Sequence, residues 1–283
     1  RSIDRIHIKD YSVERFNEQY GKPKKPVIIQ GIVDQWPAAK EWYFQNLYDE
    51  LRHRKFKCGE DDDGYAVKMK LKYFLRYMEH QRDDSPMYIF DSTFDEDKRA
   101  KTLLSSYSVP EYFNEDLFRL VGESRRPPYR WFLIGPKRSG TSPHTDPLAT
   151  SAWNALVVGR KRWVLFPPHT PRKYTKAKEF QKKPEDDYFT HMLPRALEAA
   201  KKDGVELEYY DFVQEPGETM FVPCGWWHAV LNLDDTIAVT QNFVSSANFE
   251  GMKGVDPIVC CFVTPGLLYR GMARNPSWAA KDG

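Results

Sequence analysis

The chain has 283 residues, with 42 basic and 40 acidic side chains and a formal net charge of +2, so no global field marks it for nucleic acid or a membrane surface. Hydrophobic residues make up 41% and aromatics 14%, enough for a sizeable core, yet no apolar run reaches the length that crosses a bilayer. The four cysteines, Cys58, Cys224, Cys260 and Cys261, suit neither a disulfide framework nor a zinc cluster, and no secretory signal is read at the start, so the expected setting is reducing and intracellular.

In chain order, residues 1–20 read as a short strand and then a helix, with Ser12 as N-cap and Arg15 where a capping box would have an acid. Residues 25–31 read as a strand ended by Gly31, and 36–38 as a loop into a helix over 41–51. Residues 56–69 read as a hairpin around the acidic turn 60–64. Leu71, Phe74, Leu75 and Met78 then repeat at the helical period over 71–81. A strand over 87–90 and helical pieces over 95–121, broken by Pro110, lead to a linker at 125–128. From Tyr129 the character changes to short strands separated by turns: 129–135, 143–146, 151–158, 161–166, 209–214, 219–222, 228–233 and 236–243. The runs 151–158 and 161–166 are expected to form a hairpin through Gly159 and Arg160.

This pattern predicts a mainly β protein with helices, built around a sandwich or barrel of jelly-roll type. The expected division is an α/β region over 1–125 packed on a β-barrel over 126–248, which carries a charged, partly helical insertion at 169–208. A short C-terminal segment, 249–283, follows, interrupted by Pro257, Pro265 and Pro276. The basic runs at 22–25, 68–72, 160–162 and 172–183 read as solvated surface, with a nucleic-acid contact as the alternative.

The chemistry centres on His144 and Asp146. Alternate residues of an extended strand point to one side, so both can reach one ion while Thr145 points away. His228, from a later strand, can supply a third ligand. Two imidazoles and a carboxylate on one face of an octahedral metal, with the other positions open, are the facial triad of non-haem Fe(II) oxygenases. An isolated H-x-D is a weak signal, and its setting strengthens it. His144 follows the flexible run 139–143, and His228 follows a turn whose Trp226 and Trp227 could wall a pocket. Such an enzyme needs a dicarboxylic co-substrate, whose far carboxylate calls for a cation and a hydroxyl. Lys161 and Thr240 can supply them. Thr236, Ala238, Thr240 and Asn242 share one strand face, and Tyr88 and Asn154 are polar residues in otherwise apolar strands. From pattern alone Lys161 fits two places: outside, among Arg160 and Arg162, or inside the barrel, where a lysine must be paired.

Residues 140–148, 151–156, 161–163, 216–219, 221–228, 231–233 and 240–243 together resemble a JmjC (jumonji C) domain. The likeness extends upstream through 56–61, 84–91 and 126–131. It implies a double-stranded β-helix of the cupin type, with Fe(II) on His144, Asp146 and His228. It also implies 2-oxoglutarate (α-ketoglutarate) held by Lys161 and Thr240, in a pocket lined by Tyr88, Thr141 and Asn154 with Asn242 nearby, and O2 as the oxidant. Lysyl hydroxylation of a basic protein or peptide is the favoured activity, arginine or histone demethylation the other outcome, and the nucleus the implied location. The insertion departs from the family pattern. The tail after Asn248 does not match the helices that pair two subunits there, which leaves a homodimer open. Two rivals are a catalytically weak module that binds RNA or protein, and a zinc or manganese cupin acting as hydrolase or isomerase.

Two further expectations concern the substrate. Acidic clusters at 60–63, at Asp91 with 95–97, at 185–187 and at 234–235 would attract a cationic peptide if several of them rim the barrel mouth; the alternative for each cluster is a solvated turn. Lysine is favoured because recognition of a methylated cation needs an aromatic cage, and only Trp227 and Tyr88 are nominated near the metal.

Overall fold

The computed structural model describes residues 1–61, 63–96 and 100–249. Its strands are β1 (Asp4–His7), β2 (Val27–Gln30), β3 (Lys55–Glu60), β4 (Ala66–Lys70), β5 (Ile89–Asp91), β6 (Arg130–Gly135), β7 (Gly140–His144), β8 (Ser151–Val158), β9 (Lys161–Phe166), β10 (Tyr210–Gln214), β11 (Thr219–Val222), β12 (Trp227–Asn232) and β13 (Thr236–Phe243). A seven-stranded sheet in the order β1-β2-β11-β8-β13-β6-β5 faces a four-stranded sheet in the order β10-β9-β12-β7, and β3-β4 form a separate hairpin. Strands β6 to β13 divide equally between the two sheets, which is the double-stranded β-helix of a jelly-roll.

The central strands of the large sheet are buried on both faces, and the two faces do different things. Along β13 every residue is buried. Ile237, Val239 and Phe243 join the core beneath the N-terminal region, while Thr240 and Asn242 face the space between the sheets. The same alternation sends Phe132, Ile134, Trp153 and Ala155 outward into that core and Trp131, Leu133 and Asn154 inward. The outer core is aromatic: Phe113 stacks on Trp153 at 6.3 Å, and Trp42 meets Phe132 edge-on at 5.1 Å, both within the range of favourable ring pairs. The N-terminal region therefore fixes the large sheet from behind.

The insertion does the same for the small sheet. Its helix Leu193–Lys202 and the turn before it bury Tyr188, Phe189, Leu193 and Ala196 against Val164, Phe166 and Ala229. Its strong amphipathic pattern is thus satisfied by the back of β9 and β12.

Three expectations are corrected. The runs 151–158 and 161–166 do not pair: β8 lies between β11 and β13 in one sheet, and β9 between β10 and β12 in the other. A turn signal announces a reversal, not which sheet the returning strand joins. At this crossing Gly159 has φ +78, and a Cβ there would sit 2.3 Å from the Asp235 carbonyl oxygen, so only glycine fits. The second correction is the segment 125–128, which is no free linker. Arg126 forms a buried ion pair with Asp116 and lies over the Tyr129 ring at 3.1 Å. Third, the strand expected over 143–146 runs from Gly140 to His144, so Asp146 lies beyond its end. Residues 250–283, with Cys260, Cys261 and the three late prolines, lie outside the described residues, as do Asp62 and Asp97.

Candidate active site

Strand register brings the two histidines together. On the antiparallel pair β7 and β12, His144 stands directly opposite His228, and the ring centroids are 4.2 Å apart. The strands approach closely at Gly140, where a Cβ would lie 1.9 Å from the Val230 carbonyl oxygen. Asp146 is in extended conformation, φ −63 and ψ 141, so the period-two reading still carries its side chain back to the histidines. Its Oδ1 lies 3.9 Å from His228 Nε2, and one ligand atom from each of the three residues falls within 4.8 Å of the others.

Each imidazole is oriented by its own strand. His144 Nδ1 is 2.8 Å from the Ser142 carbonyl oxygen, and His228 Nδ1 is 3.1 Å from that of Trp226. A carbonyl accepts only, so both Nδ1 atoms carry a proton, which in the neutral ring leaves the Nε2 lone pair for a ligand. Burial lowers the His228 pKa from its ordinary value, with Asp146 opposing and His144 reinforcing the shift. The shift favours the neutral form of the ring. Asp146 Oδ2 is buried and accepts no hydrogen bond. A buried carboxylate oxygen without a donor is costly unless a cation meets it. One carboxylate and two aimed imidazole nitrogens fit a divalent transition metal, with only one protein face used.

These residues sit at one end of a cavity of about 310 Å³ between the sheets. Tyr88, Thr141, Asn154, Lys161, Thr240 and Asn242 line the same cavity, so each residue nominated for the metal or the co-substrate is gathered there. Lys161 takes the inner of its two readings. It is 3% exposed, with Nζ donating to Asn232 Oδ1 at 2.6 Å and lying 3.4 Å from Thr236 Oγ1. Its neighbours point the other way, Arg160 onto Asp234 and Arg162 onto Asp211. Burial pushes the Lys161 pKa down from 10.5 to about 7. Thr240 donates to the Trp153 carbonyl at 2.8 Å, and Asn242 to Thr150 Oγ1 at 2.9 Å. Thr141 Oγ1 and Asn154 Oδ1 have no hydrogen-bond partner. A larger open groove, about 670 Å³, lies beside the helices Phe44–Leu51 and Leu71–His80. It holds no cluster of ligating groups among the described residues.

The aromatic nominations were partly misplaced. Trp227 packs beneath the insertion, on the face of β12 opposite His228, as period two requires. Trp226 packs on Tyr210 and donates to the Lys24 carbonyl at 2.8 Å. The aromatic rings that line the cavity besides Tyr88 are Phe90, Trp131 and Trp163, with Phe90 stacked on Trp131 at 5.3 Å. Alternation from Tyr88 to Phe90, and from Lys161 to Trp163, was the signal that could have found two of them. The scarcity of aromatics used above to favour lysine therefore falls away.

Among the described residues, the acidic clusters do not line the cavity. Asp91 is buried and accepts from the Lys57 and Thr93 amides at 2.9 and 2.7 Å. Asp186 caps the Lys182 amide at 2.8 Å, Asp187 caps Phe189 at 2.9 Å, and Asp234 pairs with Arg160. Among the described residues, Asp146 is the one carboxylate in the lining. The described residues of these clusters are held in turns, caps and ion pairs, as Asp95 is by Arg130.

Residues 131–243 match the JmjC domain, hydroxylase. The chain is 46% identical over 251 residues to the bifunctional arginine demethylase and lysyl-hydroxylase psr-1 of Caenorhabditis elegans, covering 88% of this chain and 63% of that protein. It is 38% identical over 284 residues to lysine-specific demethylase JMJ21 of Arabidopsis thaliana, covering 97% and 28%. It is 34% identical over 145 residues to the 2-oxoglutarate and iron-dependent oxygenase JMJD4 homolog of Drosophila melanogaster, covering 51% and 31%. The chain thus spans less than two thirds of the length of these relatives.

Proposed function

The chain carries a JmjC domain, and from that premise we propose that it is an Fe(II)- and 2-oxoglutarate-dependent dioxygenase acting on cationic side chains of proteins. The observation that carries this reading is the buried, unpartnered Asp146 Oδ2 facing two imidazoles whose Nδ1 atoms are already committed to carbonyls. His144, Asp146 and His228 would hold the iron. Bound iron would supply the oxidative decarboxylation of 2-oxoglutarate to succinate and carbon dioxide, coupled to insertion of the second atom of O2 into a substrate C–H bond.

The protein's own contributions are positional. The Ser142 and Trp226 carbonyls fix the imidazole tautomers and ring planes. Lys161 offers a buried cation without a carboxylate to the far end of the 2-oxoglutarate, and Thr240, Thr141, Tyr88, Asn154 and Asn242 line its bed. The apolar wall made by Phe90, Trp131, Leu133 and Val222 limits water in the cavity, which strengthens every electrostatic contact inside. The stacked Phe90–Trp131 pair gives a flat face suited to an ammonium or guanidinium group.

We keep lysyl hydroxylation first and arginine demethylation second on the family likeness alone, since the aromatic lining of the cavity no longer argues for lysine. Both occur in the name of psr-1, and one C–H oxygenation accounts for both. On a lysine carbon it leaves a stable alcohol; on an N-methyl group it leaves a carbinolamine that loses formaldehyde. The test is to supply the protein with Fe(II), 2-oxoglutarate and two peptides, one with unmodified lysines and one with methylated arginines, and to follow succinate and peptide mass. Succinate with one oxygen gained on lysine is the expected result. Formaldehyde with methyl loss alone would reverse the order of the two activities. Absence of succinate with either peptide would remove the oxygenase reading.

A further inference from the structure

We propose that Asn232 is the residue that makes the cavity select a dicarboxylic over a monocarboxylic 2-oxo acid, by holding Lys161 through a neutral acceptor. The proposal rests on the reading of Lys161 as the anchor for the far carboxylate. Asn232 faces Lys161 across β9 and β12 in direct register and is 2% exposed. Its Oδ1 accepts from Lys161 Nζ at 2.6 Å. Its Nδ2 donates to Ser139 Oγ at 2.8 Å, and Ser139 Oγ donates in turn to the Pro136 carbonyl at 2.6 Å.

The chain of donors runs one way. The Pro136 carbonyl can only accept, so the Ser139 hydroxyl points to it and presents its lone pair to Asn232. That fixes the amide nitrogen on Ser139 and the amide oxygen on Lys161. The flipped amide would set NH2 against NH3+, donor against donor. The backbone is tied at the same point: the Asn232 amide donates to the Ser139 carbonyl at 2.8 Å, and the Arg138 amide donates to the Asn232 carbonyl at 2.8 Å. Space is reserved as well. A Cβ on Gly135 would lie 2.4 Å from Asn232 Nδ2 and 2.7 Å from Ser139 Oγ, so β6 yields a side chain to make the seat.

A neutral acceptor orients the ammonium without cancelling its charge. An aspartate would orient it equally well and neutralise it, leaving a second carboxylate nothing to gain. The asparagine thus leaves the incoming carboxylate as the counter-ion of Lys161, and a 2-oxo monocarboxylate would leave that buried cation without one.

The experiment uses the full chain loaded with Mn(II). The wild type, Asn232→Asp, Ser139→Ala and Lys161→Ala are titrated calorimetrically with 2-oxoglutarate and with 2-oxopentanoate, which has the same length and lacks the far carboxylate. The wild type is expected to prefer 2-oxoglutarate. Asn232→Asp, nearly isosteric, should keep Mn(II) affinity and 2-oxopentanoate affinity while losing about tenfold or more for 2-oxoglutarate, the size of one charge-assisted hydrogen bond. Ser139→Ala, which frees the amide to flip, should lose less. In turnover the Asp variant should raise the KM for 2-oxoglutarate with little change in kcat. If Lys161→Ala loses 2-oxoglutarate affinity and Asn232→Asp does not, the role of Asn232 is overturned and Lys161 stands. If Lys161→Ala keeps wild-type affinity, the anchor itself is wrong and the proposal goes with it.

Discussion

The two ends of the cavity are both buried and polar, yet they are built on opposite rules. At the histidine end the hydrogen bonds are spent on orientation, and the atoms that face inward, Asp146 Oδ2 and the two Nε2 lone pairs, have no protein donor. At the lysine end the polar atoms are linked through Lys161, Asn232, Ser139 and Pro136, and what is left over is a charge. The first end asks for a cation and the second for an anion. A molecule carrying both a metal-chelating group and a distant carboxylate satisfies the two at once, which is why the pairing says more than either end alone.

The largest effects are expected at the histidine end. His144→Ala, Asp146→Ala and His228→Ala are each expected to abolish succinate production and metal retention, because three ligands on one open face act as a unit. None should cost the fold, since the inward atoms bond to no protein group; Asp146→Asn without metal is expected to melt no lower than the wild type. Metal content by elemental analysis and a thermal melt check this, and wild-type turnover in any one variant would strike that residue from the set.

The lysine end is sharpened by pH. Its pKa in the folded chain, about 7, lies below the ordinary 10.5, so the cost of burying the charged lysine is present in full below about pH 7. As pH rises from 7 to 10.5 the unfolded chain holds a proton that the folded chain has released, and this group's contribution to stability rises with pH. The affinity for 2-oxoglutarate moves the opposite way. The bound carboxylate needs the ammonium, so affinity should fall above pH 7, by up to about tenfold per unit, and Lys161→Met should flatten the profile. An affinity that climbs from pH 7 to pH 9 in the wild type would rule out the ammonium as the anchor.

The smallest effect is expected from Trp227→Ala. Trp227 neighbours His228 in sequence but packs under the insertion with Tyr188 and Phe189. Its loss should lower the melting temperature while leaving Mn(II) and 2-oxoglutarate affinities unchanged; a large loss of either would return it to the site.

Much of this was legible in the chain. The helix over 71–81 appears as Leu71–His80, and the strands at 219–222 and 236–243 appear at those bounds, because apolar periodicity and turn residues are local signals. Ser12 caps its helix, its Oγ 3.2 Å from the Arg15 amide. His144, Asp146 and His228 were legible as a set because ligand chemistry restricts residue type so strongly. Trp227 was misread although period two already opposed it. Phe90 and Trp163 were missed although alternation from Tyr88 and Lys161 pointed to them, and Trp131 was missed because nothing in the sequence says that β6 edges the same cavity as β12.

By itself, then, the sequence determined the short strands, the turns between them and the residue types able to hold a metal and an anion. The tertiary structure decided which strands became neighbours. It separated β8 from β9 into different sheets, set His144 opposite His228, turned Lys161 inward and made the acidic clusters into caps. The reason is that hydrophobic alternation tells a strand which face to bury and is silent about what it will be buried against. Lys161 shows this most plainly. Its inward place is tolerable only because Asn232, 71 residues later, accepts its hydrogen bond, and no local pattern carries that information.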